Sequence, residues 1–329
     1  MRRRDFIKLI AGSAAVWPFA AYAQKAALSV IGLLSAEWPD AFEDRLKSFR
    51  AGLREVGYVE GQNVRIEYRW GEGQIDRLPA LAAELVRNQA NVIVALGSTP
   101  AALAAKAATS TIPTVFYVGT DPVKIGLVPS LSRPGGNLTG VTTLNVQTAA
   151  KRLELVHELL PKATVVAALV NPANHPLVAE ASERDVLAAT RTLGLDLHIL
   201  RARTEREIDE AFGTLGRVRA DALLIDPDAL FISHSKQLAA LATRYTTPAI
   251  HSARDFAVAG GLMSYGNSPA ESYRQAGVYA GRVLKGEKPG DLPVHQATKV
   301  TLVINLKAAK TLGLNVPNTL IGRADEVIE

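Results

Sequence analysis

Short runs of apolar and β-branched residues alternate along the chain with longer segments in which apolar residues recur every three or four positions. The first pattern predicts strands and the second predicts amphipathic helices. Leu46, Phe49 and Leu53, for example, fall on one face of the first predicted helix, and Gly57 ends it. Regular alternation of strand and helix is typical of βαβ units, so the sequence predicts parallel sheets covered by helices.

The pattern restarts after residue 145, which predicts two successive parallel-sheet domains of about 120 residues each. Strands are predicted at 27–34, 64–70, 92–96 and 114–118, and then at 165–170, 196–201, 222–225, 249–251, 262–264 and 301–304. Residues 132–145 (SRPGGNLTGVTTLN) and 285–299 (KGEKPGDLPVHQATK) are rich in proline, glycine or threonine. We therefore predict that each of these two segments crosses between the domains and is not part of a core.

The N-terminal segment has the three parts of a secretory signal. It begins with basic residues, continues with an apolar stretch from Ile10 to Ala20, and ends in small residues that place cleavage after Ala23. Residues 3–8, RRDFIK, resemble the twin-arginine export signal. We predict that residues 1–23 are an export signal. The alternative is an uncleaved membrane anchor, for which the apolar stretch is short.

Removal of that signal changes what the charge implies. The whole chain carries a net charge of +5, but residues 1–23 hold four basic residues and one acidic residue, so the mature chain carries +2. This balance gives no indication of a nucleic-acid partner. The chain has no cysteine, which excludes disulfides, thiolate metal sites and a lipidated N-terminal cysteine. We expect a soluble periplasmic protein that is not lipid-anchored.

Polar and aromatic residues lie at the carboxyl ends of the predicted strands in both halves. Ligands of open parallel sheets bind at that edge. The candidates are Ser35, Trp38, Ser98, Thr99, Tyr117, Asp121, Asn171, Asp226, Ser252 and Asp255. Hydroxyls and helix N-termini suit an anionic group, carboxylates suit an ammonium group, and aromatic faces suit an apolar body. The set therefore predicts a site for a small polar or amino-acid-like ligand.

Each kind of candidate also has a purely structural explanation. Thr99 stands before a proline and has the pattern of a helix N-cap, which leaves Ser98 as the hydroxyl that capping does not explain. Trp38 could cover the end of a core. Three candidates that precede a proline could start turns: Asp121, Asn171 and Asp226. The recurrence of such residues at one predicted edge in both halves favours ligand binding.

Motifs of the common enzyme classes are absent from the sequence. No G-x-G-x-x-G follows a predicted strand, and there is no Walker-type loop, H-E-x-x-H or G-x-S-x-G. The six histidines are scattered along the chain. The sequence therefore predicts no catalytic residues, no cofactor and no metal site. A periplasmic enzyme that uses Asp121 or Asp255 as a base is the weaker alternative.

Six longer stretches of the sequence can be compared with known families. They are FRAGLREVGYVEGQNV (49–64), GTDPVKIGLV (119–128), RPGGNLTGVT (133–142), KRLELVHELLPKATVVAALVNPANHP (151–176), GGLMSYGNSPAESYRQAGVYAGRVLKGEKPGDLPV (260–294) and LVINLKAAKTLGL (302–314). Together they span essentially all of the mature chain, and they resemble ABC-transporter substrate-binding proteins of the tryptophan/tyrosine type.

The resemblance implies the type I periplasmic-binding-protein fold, an α/β architecture of two lobes joined by a three-stranded hinge. Each lobe would be a parallel-sheet, three-layer α/β sandwich. Lobe 1 would comprise residues 27–143 and about 267–296, and lobe 2 about 146–264 and 298–329. By position, the Ser98–Thr99 turn, Asp121, Asn171, Asp226 and the 252–255 loop would face the cleft between the lobes.

Family members that bind an aromatic amino acid use hydroxyls after the third strand for its carboxylate, and Ser98 and Thr99 stand there. Aromatic residues make up only 6% of the chain, so tryptophan is not assigned as the ligand. We expect a monomeric periplasmic solute-binding protein that closes on a small molecule and delivers it to an ABC permease in the inner membrane. The alternative is a ligand-binding sensory co-receptor for a membrane kinase or chemoreceptor.

Overall fold

The structure is a computed structural model that describes residues 28–143 and 145–329. The predicted export signal at residues 1–23 lies outside these ranges. Within the two ranges, none of the helices combines the length and the apolar character that a membrane span requires.

The strands alternate with helices along most of the chain. In chain order they are β1 (Ser29–Ser35), β2 (Val64–Trp70), β3 (Val92–Leu96), β4 (Thr114–Val118), β5 (Leu138–Thr142), β6 (Val165–Val170), β7 (Asp196–Arg201), β8 (Ala222–Ile225), β9 (Ala249–His251), β10 (Met263–Asn267), β11 (His295–Gln296), β12 (Val300–Asn305) and β13 (Glu326–Ile328).

The helices that lie between them vary from one turn to five. They are α1 (Glu43–Glu55), α2 (Leu78–Arg87), α3 (Thr99–Ala108), α4 (Ala149–Leu159), α5 (Pro176–Leu193), α6 (Glu205–Val218), α7 (Ala229–Ser233), α8 (Ser235–Arg244), α9 (Arg254–Val258), α10 (Pro269–Leu284), α11 (Leu306–Thr311) and α12 (Asn318–Ile321). Short 3-10 turns are found at Asp40–Phe42, Ile75–Arg77, Asn145–Thr148 and Pro289–Asp291.

The strands form two sheets, ordered β11-β5-β4-β3-β1-β2 and β13-β12-β10-β9-β8-β6-β7. All neighbours in the first sheet are parallel. In the second sheet only β10 and β12 run antiparallel. Strand order reverses direction between β3 and β1 in the first sheet and between β8 and β6 in the second. Such switch points are where ligands of open α/β sheets bind.

Helices cover both faces of each sheet. In β3, Val94 faces a core that contains Phe49 of α1, whereas Ile93 faces the opposite core with α2 and α3. In β8, Leu223 and Leu224 likewise point into two different cores. Strands covered on both faces are continuous apolar runs, which is why these segments were visible in the sequence. Each lobe is a three-layer α/β sandwich, and the predicted fold class is confirmed.

The chain passes between the two sheets in three places within the described residues: between β5 and α4, between β10 and α10, and between β11 and β12. Helix α10 follows a strand of the second sheet but packs on the first. A Cβ atom at Gly52 of α1 would lie 1.8 Å from the Arg274 carbonyl oxygen, and one at Gly277 would lie 2.1 Å from that of Phe49. Glycine at these positions allows α1 and α10 to pack backbone against backbone.

The prediction that residues 132–145 form a crossing and no part of a core is wrong for residues 138–142, and only residues 143–145 begin the crossing to the second lobe. Within this segment, β5 is wholly buried in the first sheet between β4 and β11. The hydroxyl groups of its threonines form hydrogen bonds there, since Thr139 donates to the Leu292 carbonyl and Thr142 to the Thr120 carbonyl, both at 2.7 Å. Gly140 lets the Phe116 backbone approach, since a Cβ atom would lie 2.1 Å from its carbonyl oxygen.

The prediction for residues 285–299 is wrong for most of their length as well. This segment first adds the 3-10 turn Pro289–Asp291 and strand β11 to the first lobe, and β11 pairs with β5 at the edge of the sheet. Only residues 297–299 then lead across to β12.

Candidate ligand-binding site

A cleft lies between the two sheets at the carboxyl ends of their strands. Its lining includes residues that follow β1 and β3 at the switch point of the first sheet, and residues that follow β6 and β8 at that of the second. The cleft has an empty volume of about 940 Å³, part of it open to solvent.

The predicted site residues divide evenly between the lining of this cleft and positions outside it. Those that line the cleft are Ser98, Thr99, Tyr117, Asn171 and Ser252. Those that do not are Ser35, Trp38, Asp121, Asp226 and Asp255.

Ser98 and Thr99 begin helix α3, and their roles differ from the prediction. Ser98 has extended backbone angles and is the N-cap, because its Oγ accepts a hydrogen bond from the Ala101 N–H at 3.1 Å. The prediction that Thr99 caps the helix is wrong, since Thr99 is already its first helical residue. Among the described residues, the Ser98 hydroxyl finds no acceptor for its own proton. Capping therefore leaves this donor available in the cleft.

Gly97, which precedes this cap, fixes the wall of the cleft. Its φ of 80° lies in the left-handed region that favours glycine. A Cβ atom here would lie 2.5 Å from Glu37 Oε1 and 2.6 Å from the Tyr273 hydroxyl. Gly97 thus permits both polar groups to approach the end of β3.

Asp228 is a cleft residue that the sequence-based set missed. It is 8% exposed, and its carboxylate accepts hydrogen bonds from Asn171 Nδ2 at 2.9 Å, Asn174 Nδ2 at 3.1 Å and the Leu230 N–H at 2.9 Å. Burial raises its pKa, and these donors oppose that effect. Its signal was present as the second aspartate of the sequence Asp-Pro-Asp after β8.

Asp226, the aspartate that was chosen instead, has a structural role. Its carboxylate accepts a 2.6 Å hydrogen bond from Ser182 of helix α5 and is buried outside the cleft. Burial raises the pKa of Asp226 to about 6. The two aspartates are only two residues apart, but Asp228 lines the cleft and Asp226 contacts helix α5.

Glu37 and Arg45 form a buried ion pair in the cleft wall of the first lobe, 1% and 6% exposed. Arg45 Nη2 also donates to Asp255 of the second lobe at 3.0 Å. Ser233, again of the second lobe, donates to Glu37 at 3.2 Å. Burial raises the pKa of Glu37 in spite of Arg45. These contacts join the two lobes across the cleft, and sequence reasoning found only Asp255 of the four.

Two tyrosines give the cleft an aromatic wall on the first lobe. Tyr117 at the end of β4 and Tyr273 of α10 meet edge to face, with ring centroids 4.9 Å apart. Burial raises the pKa of both phenols, so they are neutral hydrogen-bonding groups near pH 7. Tyr273 was missed because it lies inside helix α10 and not at the end of a predicted strand, and it reaches the cleft only because α10 packs on the first sheet.

The remaining candidates outside the cleft have partners of their own. The Ser35 hydroxyl accepts the Glu37 N–H at 3.2 Å, and Asp121 accepts the Val123 N–H at 2.9 Å in a turn. Trp38 packs edge to face on His234 of the second lobe, with centroids 4.8 Å apart. The structural alternatives given for Trp38 and Asp121 thus describe their surroundings, because Trp38 also packs against a core of the second lobe and Asp121 starts a turn. In the described ranges, no group of three acidic or histidine side chains is arranged to hold a metal ion.

A sequence model of the family described as ABC transporter substrate binding protein matches residues 29–328. The chain belongs to this family. The resemblance seen in the sequence is thereby confirmed, and so is the expectation that the chain is a binding protein and not an enzyme.

Individual proteins resemble this one over most of its length. A tyrosine-binding protein of Clostridioides difficile strain R20291 is 30% identical over 285 residues, which cover 85% of this chain and 80% of the relative. A conserved domain protein from Vibrio cholerae has a TM-score of 0.83 and 27% identity, covering 91% of this chain and 99% of that one. An ABC domain from Streptococcus pneumoniae in complex with L-Trp has a TM-score of 0.82 and 28% identity, covering 92% and 100%.

Proposed function

We propose that this substrate-binding protein captures an L-amino acid, with the aromatic amino acids as first candidates, between its lobes. The observation that carries the proposal is the composition of the cleft: hydroxyls at a helix N-terminus and two tyrosines on one lobe face a carboxylate and amides on the other. An amino acid presents an anion, a cation and a side chain on one carbon atom. The names of the relatives, a tyrosine-binding protein and an L-Trp complex, support the same class of ligand.

The ligand carboxylate is assigned to the start of α3. In its first turn Pro100 has no N–H, and the N–H groups of Ala101 and Ala102 already donate to Ser98, which leaves the Thr99 N–H. The positive end of the dipole of this ten-residue helix favours an anion there. The Ser98 hydroxyl adds a donor from the N-cap itself, and Thr99 stands beside it. The two hydroxyls that follow the third strand are thus both part of this assignment.

The ligand ammonium group is assigned to Asp228. Its carboxylate is oriented by Asn171 and Asn174, so its position is fixed before a ligand arrives. A cation beside Asp228 favours the ionised form that burial disfavours. Glu37 is already paired with Arg45 and is not needed for this role.

Closure of the lobes is the proposed mode of capture. The Arg45–Asp255 ion pair, the Ser233–Glu37 hydrogen bond and the contact of Trp38 with His234 all join one lobe to the other. We infer that these contacts belong to the closed form. When the contacts break, the three crossings act as the hinge about which the lobes open. We propose that the protein is a monomer in the periplasm and that this motion serves to deliver the ligand to an ABC permease in the inner membrane.

The test is a thermal-shift screen of residues 24–329 against the twenty L-amino acids, followed by calorimetry of those that raise the Tm. Binding to the folded state raises Tm with ligand concentration. We expect Asp228→Asn to lower the affinity at least tenfold, because a hydrogen bond to a charged group contributes about 1.5–3 kcal/mol. Asp121→Asn is the matched control, since Asp121 also accepts a backbone N–H two residues on at 2.9 Å but lies outside the cleft.

No rise in Tm with any amino acid would contradict the ligand class. Small-angle scattering tests closure separately, because the radius of gyration should fall when ligand is added. Deletion of the gene that encodes this protein should abolish cellular uptake of the amino acid that binds. Unchanged uptake would contradict the importer role.

A further inference from the structure

Asn267 occupies the point at which the chain leaves the second sheet. It is the last residue of β10, is 4% exposed, and lines the cleft. Helix α10, which begins two residues later, already belongs to the packing of the first lobe. Asn267 therefore lies in the middle crossing, at the floor of the proposed binding site.

Hydrogen bonds from Asn267 reach the other two crossings. Its N–H donates to Asn145 Oδ1 at 3.1 Å, in the crossing that precedes α4. Its Nδ2 donates to the carbonyl oxygens of Ala297 and Lys299, both at 2.9 Å, in the crossing between β11 and β12. Carbonyl oxygens only accept hydrogen bonds, so the side-chain amide cannot be turned round. The orientation of Oδ1 is thereby fixed.

Oδ1 itself is buried and has no hydrogen-bond partner within the described parts of the chain. Other buried side-chain atoms share this property, for example in Arg152, His157 and His251, but those residues do not line the cleft. Among residues 28–143 and 145–329, Asn267 alone combines a buried unpartnered polar atom with a place in the cleft lining. A buried acceptor is destabilising unless a donor reaches it.

We propose that Asn267 is a specificity-determining residue whose Oδ1 accepts a hydrogen bond from a donor group of the bound ligand. The donor is the ammonium group or a side-chain O–H or N–H of the amino acid, and this inference rests on the proposed function. Because three hydrogen bonds to the crossings hold Asn267, its acceptor is oriented before the ligand binds. Ligands without a donor at that place leave Oδ1 unpaired and bind more weakly.

The experiment uses L-tyrosine and L-tryptophan as probes, and continues with the one that stabilises the wild type more. Asn267→Ala should lower its affinity at least tenfold by calorimetry. Asn137→Ala is the matched control, because Asn137 Nδ2 also donates to two backbone carbonyls, those of Thr109 and Ile112, at a place outside the cleft. The control should bind as the wild type does.

A crystal structure of the wild type with the same probe gives a second measurement that does not depend on the folding of a variant. We expect Oδ1 of Asn267 within about 3.2 Å of a ligand donor, and the structure identifies that donor as the ammonium group or the ring O–H or N–H. Wild-type binding with Oδ1 bonded only to water, or with unchanged affinity in Asn267→Ala, overturns this inference and leaves the proposed function intact. Absence of wild-type binding to both probes overturns this inference and the choice of aromatic amino acids as first candidates, whereas the ligand class is decided separately by the screen of all amino acids.

Discussion

Substitution of Ser98 separates its role as a helix cap from its proposed contact with the ligand. Its Oγ accepts the Ala101 N–H at 3.1 Å at the start of α3. Loss of such an N-cap costs about 0.5–2 kcal/mol when alanine replaces the residue, and only about a few tenths when glycine does. We therefore expect Ser98→Ala to lower the free energy of unfolding by about 1 kcal/mol. Ser98→Gly should lower it much less.

Both variants lose the hydroxyl, so both should lose the same affinity. A hydrogen bond from Ser98 to the ligand carboxylate contributes about 1.5–3 kcal/mol, which corresponds to at least a tenfold change in Kd. Urea unfolding of the ligand-free protein measures the first effect. Calorimetry with the amino acid that emerges from the screen measures the second.

Thr204→Ala is the matched control for this pair. Thr204 Oγ1 accepts the Glu207 N–H at 3.2 Å as the N-cap of α6, and Thr204 does not line the cleft. It should lose stability as Ser98→Ala does and keep its affinity. Wild-type affinity in Ser98→Gly would refute the ligand contact, and equal destabilisation by glycine and alanine would refute the capping role.

Three further predictions follow from contacts elsewhere. Asp255→Asn should weaken ligand binding by up to about fivefold in calorimetry and leave the unfolding free energy nearly unchanged, because its pair with Arg45 bridges the lobes but Asp255 is 52% exposed. Burial lowers the pKa of His251 to about 3 from 6.5. Below about pH 6.5 the unfolded chain therefore binds a proton at this residue that the folded state does not bind, and the free energy of unfolding falls. In urea unfolding between pH 7 and pH 5, the wild type should therefore lose about 2 kcal/mol more than His251→Asn, and an equal loss would contradict this. Gly52→Ala should lower Tm because its Cβ would lie 1.8 Å from a carbonyl of α10, whereas Gly213→Ala, with no atom within 4 Å, should raise it.

Much of the fold could be predicted because burial leaves a local signal. Strands β2, β3 and β4 have the bounds that the apolar pattern gave, and so do β6 to β9. Most of them are covered by helices on both faces, so their apolar runs stand out from the amphipathic segments around them. Strand β5 lacked that signal. Its threonines and Gly140 resemble a loop until the carbonyls that accept their hydrogen bonds and the close Phe116 backbone are known.

The candidate site was predictable to the level of strand ends but not of side chains. Topology places the ends of parallel strands at one edge, and half of the chosen residues line the cleft there. Neighbouring residues at such an end face different ways, which is why Ser98 and not Thr99 is the cap, and why Asp228 and not Asp226 faces the cleft. Local sequence does not decide between them, because the choice depends on backbone angles and on partners such as Ser182.

The sequence by itself determined the alternation of strands and helices, the absence of any cysteine chemistry, and the family. Each of these depends on residues near one another in the chain or on composition. Only the tertiary structure decided that residues 138–142 form a buried strand of the first sheet, that Arg45 meets Asp255 across 210 positions, and that Asn267 joins three crossings. The physical reason is that the cleft is assembled from the ends of strands that belong to two different sheets. Its contacts pair residues that are distant in sequence and leave no local pattern.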